Sequence, residues 1–144
     1  LNERPGNGAF VFLAGRVAFA YARTLTYDGY ELYIVAGGYG MGGSGSQGGI
    51  TQTLAAGGIT VPARYWKVMV VLDEGDGDIS RVSPTTRVIA VDMPNAQSVT
   101  ALPWGSYRTT VDAIEDSTGL DILSLVPAAV QSALEGVVDN APTQ

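Results

Sequence analysis

No histidine and no cysteine occur in the 144 residues of this chain. The first absence means that the chain alone supplies no Ser-His-Asp triad, no imidazole base and no histidine-held metal. The second removes disulfides and thiolate chemistry and leaves the redox compartment open. Basic charge is scarce as well: eight Lys and Arg, of which Lys67 is the one lysine, stand against fourteen acids, for a net charge of −6. A broad electrostatic grip on a polyanion is therefore not indicated, and such a site would need a local arginine cluster or a bound cation. No apolar run approaches the ~20 residues that cross a bilayer, so no membrane span is expected. No lysine- or arginine-led signal peptide opens the chain, and Leu1 in place of Met leaves open a processed or truncated start with a lost secretion signal.

Apolar residues make up 46% and charged residues 15%, a balance that buries a core and argues against disorder over most of the length. The chain is organised around Tyr30 to Leu72. Glu31 to Ala36 has the β-branched and aromatic content of a strand. From Arg64 to Leu72 the residues alternate with period two. Trp66, Val68, Val70 and Leu72 share one face, and Tyr65, Lys67, Met69 and Val71 the other. Both faces are mostly apolar, which predicts a central strand covered on two sides. Pro62 has no N–H, so pairing is expected to begin after it.

Between these strands lies the glycine-rich segment Gly37 to Gly49, read as a mobile connection. It matches G-x-G-x-x-G at Gly38, Gly40 and Gly43, and again at Gly40, Gly42 and Gly45. No helix-forming run follows and no acid occurs between Glu31 and Asp73, so a dinucleotide fingerprint is not supported. Asp73-Glu-Gly-Asp-Gly-Asp78 lacks the Gly and closing Glu of a calcium loop and reads as a solvated hairpin turn. A third strand spans Arg87 to Met93, with Asp92 expected to organise a turn beside Pro94 and Asn95.

Leu1 to Gly8 reads as an irregular lead-in, and a helix is expected from about Arg16 to Leu25, with Phe19 and Arg23 on one face. Thr110 fits a helix N-cap with Asp112 in the first turn, and Gly119 fits the stop. A second helix begins near Pro127, with Val130, Ala133, Leu134, Val137 and Val138 as its stripe. Both helices are expected to cover one sheet face, and Asn140 to Gln144 reads as a tail. The fold class is α+β: a mainly antiparallel sheet with a leading helix and two C-terminal helices.

Tyr30-Glu-Leu-Tyr-Ile-Val-Ala-Gly-Gly-Tyr-Gly40, Val61-Pro-Ala-Arg-Tyr-Trp-Lys-Val68 and Thr85-Thr-Arg-Val-Ile-Ala-Val-Asp-Met-Pro-Asn95 carry a resemblance. So do Tyr107-Arg-Thr-Thr-Val-Asp-Ala-Ile-Glu115, Thr118-Gly-Leu-Asp121 and Val126-Pro127. Together they resemble the DNA/RNA non-specific endonucleases, sugar-non-specific nucleases with a ββα-metal (His-Me finger) site. The likeness runs over 21–138, leaves 1–20 as an atypical segment and 139–144 as a tail, and matches only the later part of that family's domain. A single, N-terminally incomplete nuclease-like domain is expected.

What the resemblance implies is phosphodiester hydrolysis in DNA and RNA, with Mg²⁺ as the cofactor and a secreted or periplasmic location. An inhibitor protein as a partner stays open. In the family a long helix carries a metal-ligand Asn, a Glu and an Arg. The Arg matches Arg23, as a contact to the scissile phosphate. The Glu position falls on Phe19 and the Asn position near Val11, neither able to ligate a metal. The Asp-Arg-Gly-His word with the general base has no counterpart. Lys67 is a candidate phosphate contact or a strand lysine reaching solvent, and Arg64, Arg81, Arg87 and Arg108 support a surface. Three readings compete: a fragment or degenerate member of the family, inactive by itself; a non-catalytic nuclease-derived binding or structural module; and an unrelated β-rich surface domain, against which the resemblance argues strongly. The abrupt onset of the likeness at Tyr21 further suggests that Leu1 to about Ala20 is a truncated or frame-shifted replacement, leaving an exposed apolar patch.

Overall fold

The computed structural model describes residues 8–45 and 48–143, with side chains in the first helix from residue 18 onward. Its centre is β4 (Arg64–Asp73), the alternating apolar run, which starts two residues past Pro62. On one side β4 pairs antiparallel with β1 (Tyr30–Tyr39), in register from Tyr30 opposite Asp73 to Tyr39 opposite Arg64. On the other it pairs with β5 (Arg87–Pro94), from Arg64 opposite Pro94 to Val71 opposite Arg87. The short β6 (Arg108–Thr109) completes the sheet in the order β1-β4-β5-β6. Among the described residues the outer edge of β1 has no partner strand, which leaves Tyr33 and Val35 exposed. A separate two-stranded ribbon, β2 (Thr53–Leu54) with β3 (Ile59–Thr60), sits in the connection from β1 to β4.

Both faces of the sheet are covered, as the alternation requires. Met69, Val71, Ile89, Val91 and Met93 pack under the leading helix, α1 (Gly8–Tyr27), through Ala18, Ala22 and Leu25. The small side chains at 18 and 22, one turn apart, let that helix approach the strands closely. Trp66, Val68, Val70 and Leu72 face α3 (Val111–Thr118) and α4 (Ala128–Leu134), with Val111, Ile114, Leu123, Val126 and Leu134 filling the layer. Met69 and Ile89 are fully buried, each worth roughly 2–3 kcal/mol of apolar transfer. The Thr110 hydroxyl accepts from the Ala113 N–H at 3.1 Å, and Gly119 ends α3 at φ 72°. The expected cap and stop both hold.

Several local expectations are corrected. The leading helix is longer than Arg16 to Leu25, starting at Gly8 and ending at Tyr27, while 1–7 of the expected lead-in lie outside the described residues. β1 continues through Gly37 and Gly38 because β4 pairs with it there, opposite Trp66 and Tyr65. The turn after β4 contains a short helix, α2 (Asp78–Arg81). Its Arg81 donates to the Asp73 and Gly75 carbonyls and to the Glu31 and Asp78 carboxylates, binding the acidic turn together. Val137 and Val138 lie past the end of α4 and are exposed. The C-terminal segment is anchored: Arg87 grips Asp139 at 2.7 and 2.9 Å, and Arg108 reaches Asp139 at 3.1 Å and the Ala141 carbonyl at 2.8 Å. Tyr21 on α1 donates to the Pro142 carbonyl at 2.8 Å and stacks, tilted, on Trp104.

Candidate functional site

Arg23 lies on the exposed side of α1, one turn after Phe19, which is itself 45% exposed. Beneath them Lys67 projects from β4 on the α1 side of the sheet, and its ammonium sits 3.3 Å from the centroid of the Phe19 ring. A cation over an aromatic face is a favourable contact, yet a weaker one than a carboxylate gives. Among the described residues no ion pair reaches Lys67, and burial pulls its ammonium down to about 8. The lysine therefore does not reach freely into solvent. Ala18 is buried and Phe19 exposed, while the side chains of Phe10 to Leu13, Val17 and Val11 fall outside those described. The structure thus brings Arg23, Phe19 and Lys67 to one side of the molecule.

Arg64, Arg81, Arg87 and Arg108 bind carboxylates or carbonyls within the fold. Arg64 meets Asp92 at 2.9 Å, and the Tyr39 hydroxyl donates to Asp92 at 2.7 Å. Asp92 therefore joins three strands rather than organising a turn. Burial and then the Asp92 hydrogen bond push the Tyr39 phenol up. Burial works against the Arg64 charge, but Asp92 more than offsets it and holds the guanidinium above its usual range. Burial likewise opposes the Asp139 charge, yet Arg87 and then Arg108 keep its carboxyl below the ordinary value.

The glycine-rich segment is partly built in. Gly42 N–H donates to the Val61 carbonyl at 2.8 Å, Gly43 pairs with Thr51, and Ser44 N–H donates to the Asn95 carbonyl at 2.8 Å. Gly43 is buried. The glycines lead into the β2–β3 ribbon, with a short 3-10 turn (Ala55–Gly57) between its strands.

One grouping escaped the sequence reading. Asp112 and Glu115 on α3 and Glu135 just past α4 bring carboxylate oxygens within 4.8 Å of one another. Burial, followed by the charges of Glu115, Asp112 and Asp121, raises the Glu135 carboxyl above its ordinary value. The i, i+3 spacing of Asp112 and Glu115 was a local sign, but the approach of Glu135 is a tertiary fact.

An α+β sheet carrying an arginine-bearing helix on one face and two short helices on the other has the fold of part of a ββα-metal nuclease. A chain in a crystal structure of the EndoG/EndoGI complex superposes with a TM-score of 0.57 at 20% identity, over 78% of this chain and 44% of that one. The family model of the DNA/RNA non-specific endonucleases matches residues 20–129. A nuclease from Nostoc sp. is 39% identical over 120 residues, which is 83% of this chain and 40% of that protein. The chain belongs to the DNA/RNA non-specific endonuclease family. It spans less than half the length of the nuclease relative it matches. The family is one of metal-dependent nucleases with nucleic acid as substrate class.

Phe19 carries no ligand atom, and the Lys67 ammonium lies against its ring, so this pair of side chains does not suit a divalent ion.

Proposed function

We propose that this chain is the later part, or a degenerate form, of a DNA/RNA non-specific endonuclease and does not cleave nucleic acid by itself. The observation that carries this is the absence of histidine from the chain, and the resemblance, which sets the family's Glu position on Phe19 and its Asn position near Val11, supports it. Hydrolysis in the family pairs a histidine-activated water with a Mg²⁺ that polarises the phosphodiester. What this chain contributes is the sheet that holds α1 and, on that helix, Arg23. Its planar, permanently charged guanidinium suits the developing negative charge of a phosphate under attack.

The test is a plasmid-nicking assay with Mg²⁺ or Mn²⁺. The isolated chain is expected to leave supercoiled DNA intact. EDTA-sensitive nicking that co-purifies with the chain overturns the reading. Joining residues 21–144 to the upstream part of the Nostoc nuclease is expected to restore nicking, and Arg23→Ala in that fusion to lower it about 100-fold.

A second reading, a nuclease-derived module that binds without cleaving, has one observation in its favour. Ala18, Ala22 and Leu25 are buried in the core, so α1 is built into the fold from that point on. Retention of single-stranded DNA by the isolated chain, lost in Arg23→Ala, would support it.

A further inference from the structure

Asp112, Glu115 and Glu135 lie on the face of the sheet opposite Arg23, away from any catalytic helix. The backbone fixes their approach, since the Asp112 N–H donates to the Glu135 carbonyl at 3.1 Å. Glu115 has a partner of its own: its Oε1 accepts from the Ile122 N–H at 2.6 Å. Glu135 is different. The residue is 9% exposed, and its buried Oε1 has no hydrogen-bond partner among the described residues.

A buried carboxylate oxygen without a donor is costly and calls for a ligand or a proton. Among the described residues no arginine or lysine forms an ion pair with the cluster. Glu135 also caps the C-terminal end of α4, where the helix dipole adds further negative potential.

We propose that Asp112, Glu115 and Glu135 form a calcium site that ties α3 to the end of α4. All three donors are hard carboxylate oxygens, which suit Ca²⁺ rather than a soft, thiolate-seeking metal. A Ca–O distance of about 2.4 Å lets two ligand oxygens sit up to ~4.8 Å apart across the ion. The three carboxylate oxygens, within 4.8 Å of one another, lie inside that reach, and the flexible shell of Ca²⁺ does not demand the near-ideal octahedron of Mg²⁺. Water completes the shell, and the ion acts as a brace between two helices, with no part in hydrolysis.

The experiment is calorimetric titration of the chelator-treated full chain with CaCl₂, alongside melting curves. One ion per chain is expected, with Tm raised by about 3–6 °C at ten times Kd. MgCl₂ is expected to give a smaller shift. Glu135→Gln is expected to abolish both the heat and the Tm shift. Asp112→Asn, at an exposed position that tolerates the change, is expected to weaken binding at least tenfold with an unchanged far-UV spectrum. The proposal is overturned if CaCl₂ gives neither heat nor Tm shift, which would mean that a proton satisfies Glu135. It is equally overturned if binding survives in Asp112→Asn at its original strength.

Discussion

The Lys67 ammonium rests against the face of the Phe19 ring, 3.3 Å from its centroid. The chain's one lysine is thus covered by an aromatic group at the position where the family resemblance places a glutamate. Its charge is held in the fold with no carboxylate nearby among the described residues, and its ammonium is lowered to about 8 by burial.

That charge should weaken the fold at neutral pH. The folded pKa lies below the unfolded value, so the unfolded chain binds more protons between about pH 8 and 10.5, and stability rises with pH across that window. Lys67→Met is expected to stabilise the protein by on the order of 2 kcal/mol at pH 7. The advantage should shrink as pH climbs from 8 to 10.5. Urea melts of both proteins across this range measure it, and a constant difference would refute the account.

Phe19→Glu should supply the missing partner. The Lys67 pKa is expected to return toward its ordinary value, and the pair to be stabilising by on the order of 1 kcal/mol relative to Phe19→Gln. NMR titration of the lysine side chain reads this directly. An unmoved pKa in Phe19→Glu would show that the two side chains do not meet.

Asp139 binds Arg87 and Arg108 with a carboxylate whose side chain is only 4% exposed. Removing it leaves two guanidinium groups without their anion, so Asp139→Ala is expected to cost about 3 kcal/mol. Its carboxyl is held below the ordinary range. The stabilisation is therefore complete above the unfolded value near 3.8 and fades as pH falls through the lower folded one. Acid melts of the wild type and of Asp139→Ala should converge in that region, and curves that stay parallel would argue against it.

Gly43 stands against Asn95. A Cβ there would come within 2.7 Å of Asn95 Cγ and 3.1 Å of its carbonyl oxygen. Gly43→Ala is expected to destabilise by about 2 kcal/mol through overpacking. Gly48→Ala meets no atoms but sits at φ +74°, and should cost about 1 kcal/mol. Amide exchange should likewise be slower at Gly42 and Ser44, which bond to Val61 and Asn95, than at Gly48, whose N–H donates to the Gly45 carbonyl three residues back at 3.1 Å. Equal exchange along the segment would contradict the hydrogen bonds drawn there.

What could be read in the sequence followed short-range rules. The alternation of Trp66 to Leu72 reports a strand buried on both faces because period two needs no knowledge of neighbours. Thr110 and Gly119 mark their helix ends by chemistry local to the backbone. The extension of β1 through Gly37 and Gly38 was hidden because glycine usually breaks strands. Here it makes room: a Cβ at Gly37 would meet the Trp66 ring at 2.9 Å, and one at Gly38 would meet Pro62 at 2.8 Å. Asp139 looked like the first residue of a tail, and Glu135 fell unremarked inside the expected second helix. Their partners lie 52 and 31 positions away for Asp139 and on a different helix for Glu135, separations that no local pattern encodes. Arg23 was legible only through the family likeness, since an exposed helix arginine has no signature of its own.

The hydrogen bond from Tyr21 to the Pro142 carbonyl joins residues 121 positions apart. Such a contact forms only after a very long loop has closed, and loop closure is what slows folding when partners are remote in sequence. During synthesis α1 emerges before the strands it covers, yet this fastening arrives with residue 142, after β1, β4, β5 and β6 have been made. The helix must therefore rest on an unfinished sheet while the rest of the chain is delivered. In a nascent chain, the helix that carries Arg23 is made before the sheet beneath it and fastened after that sheet is complete.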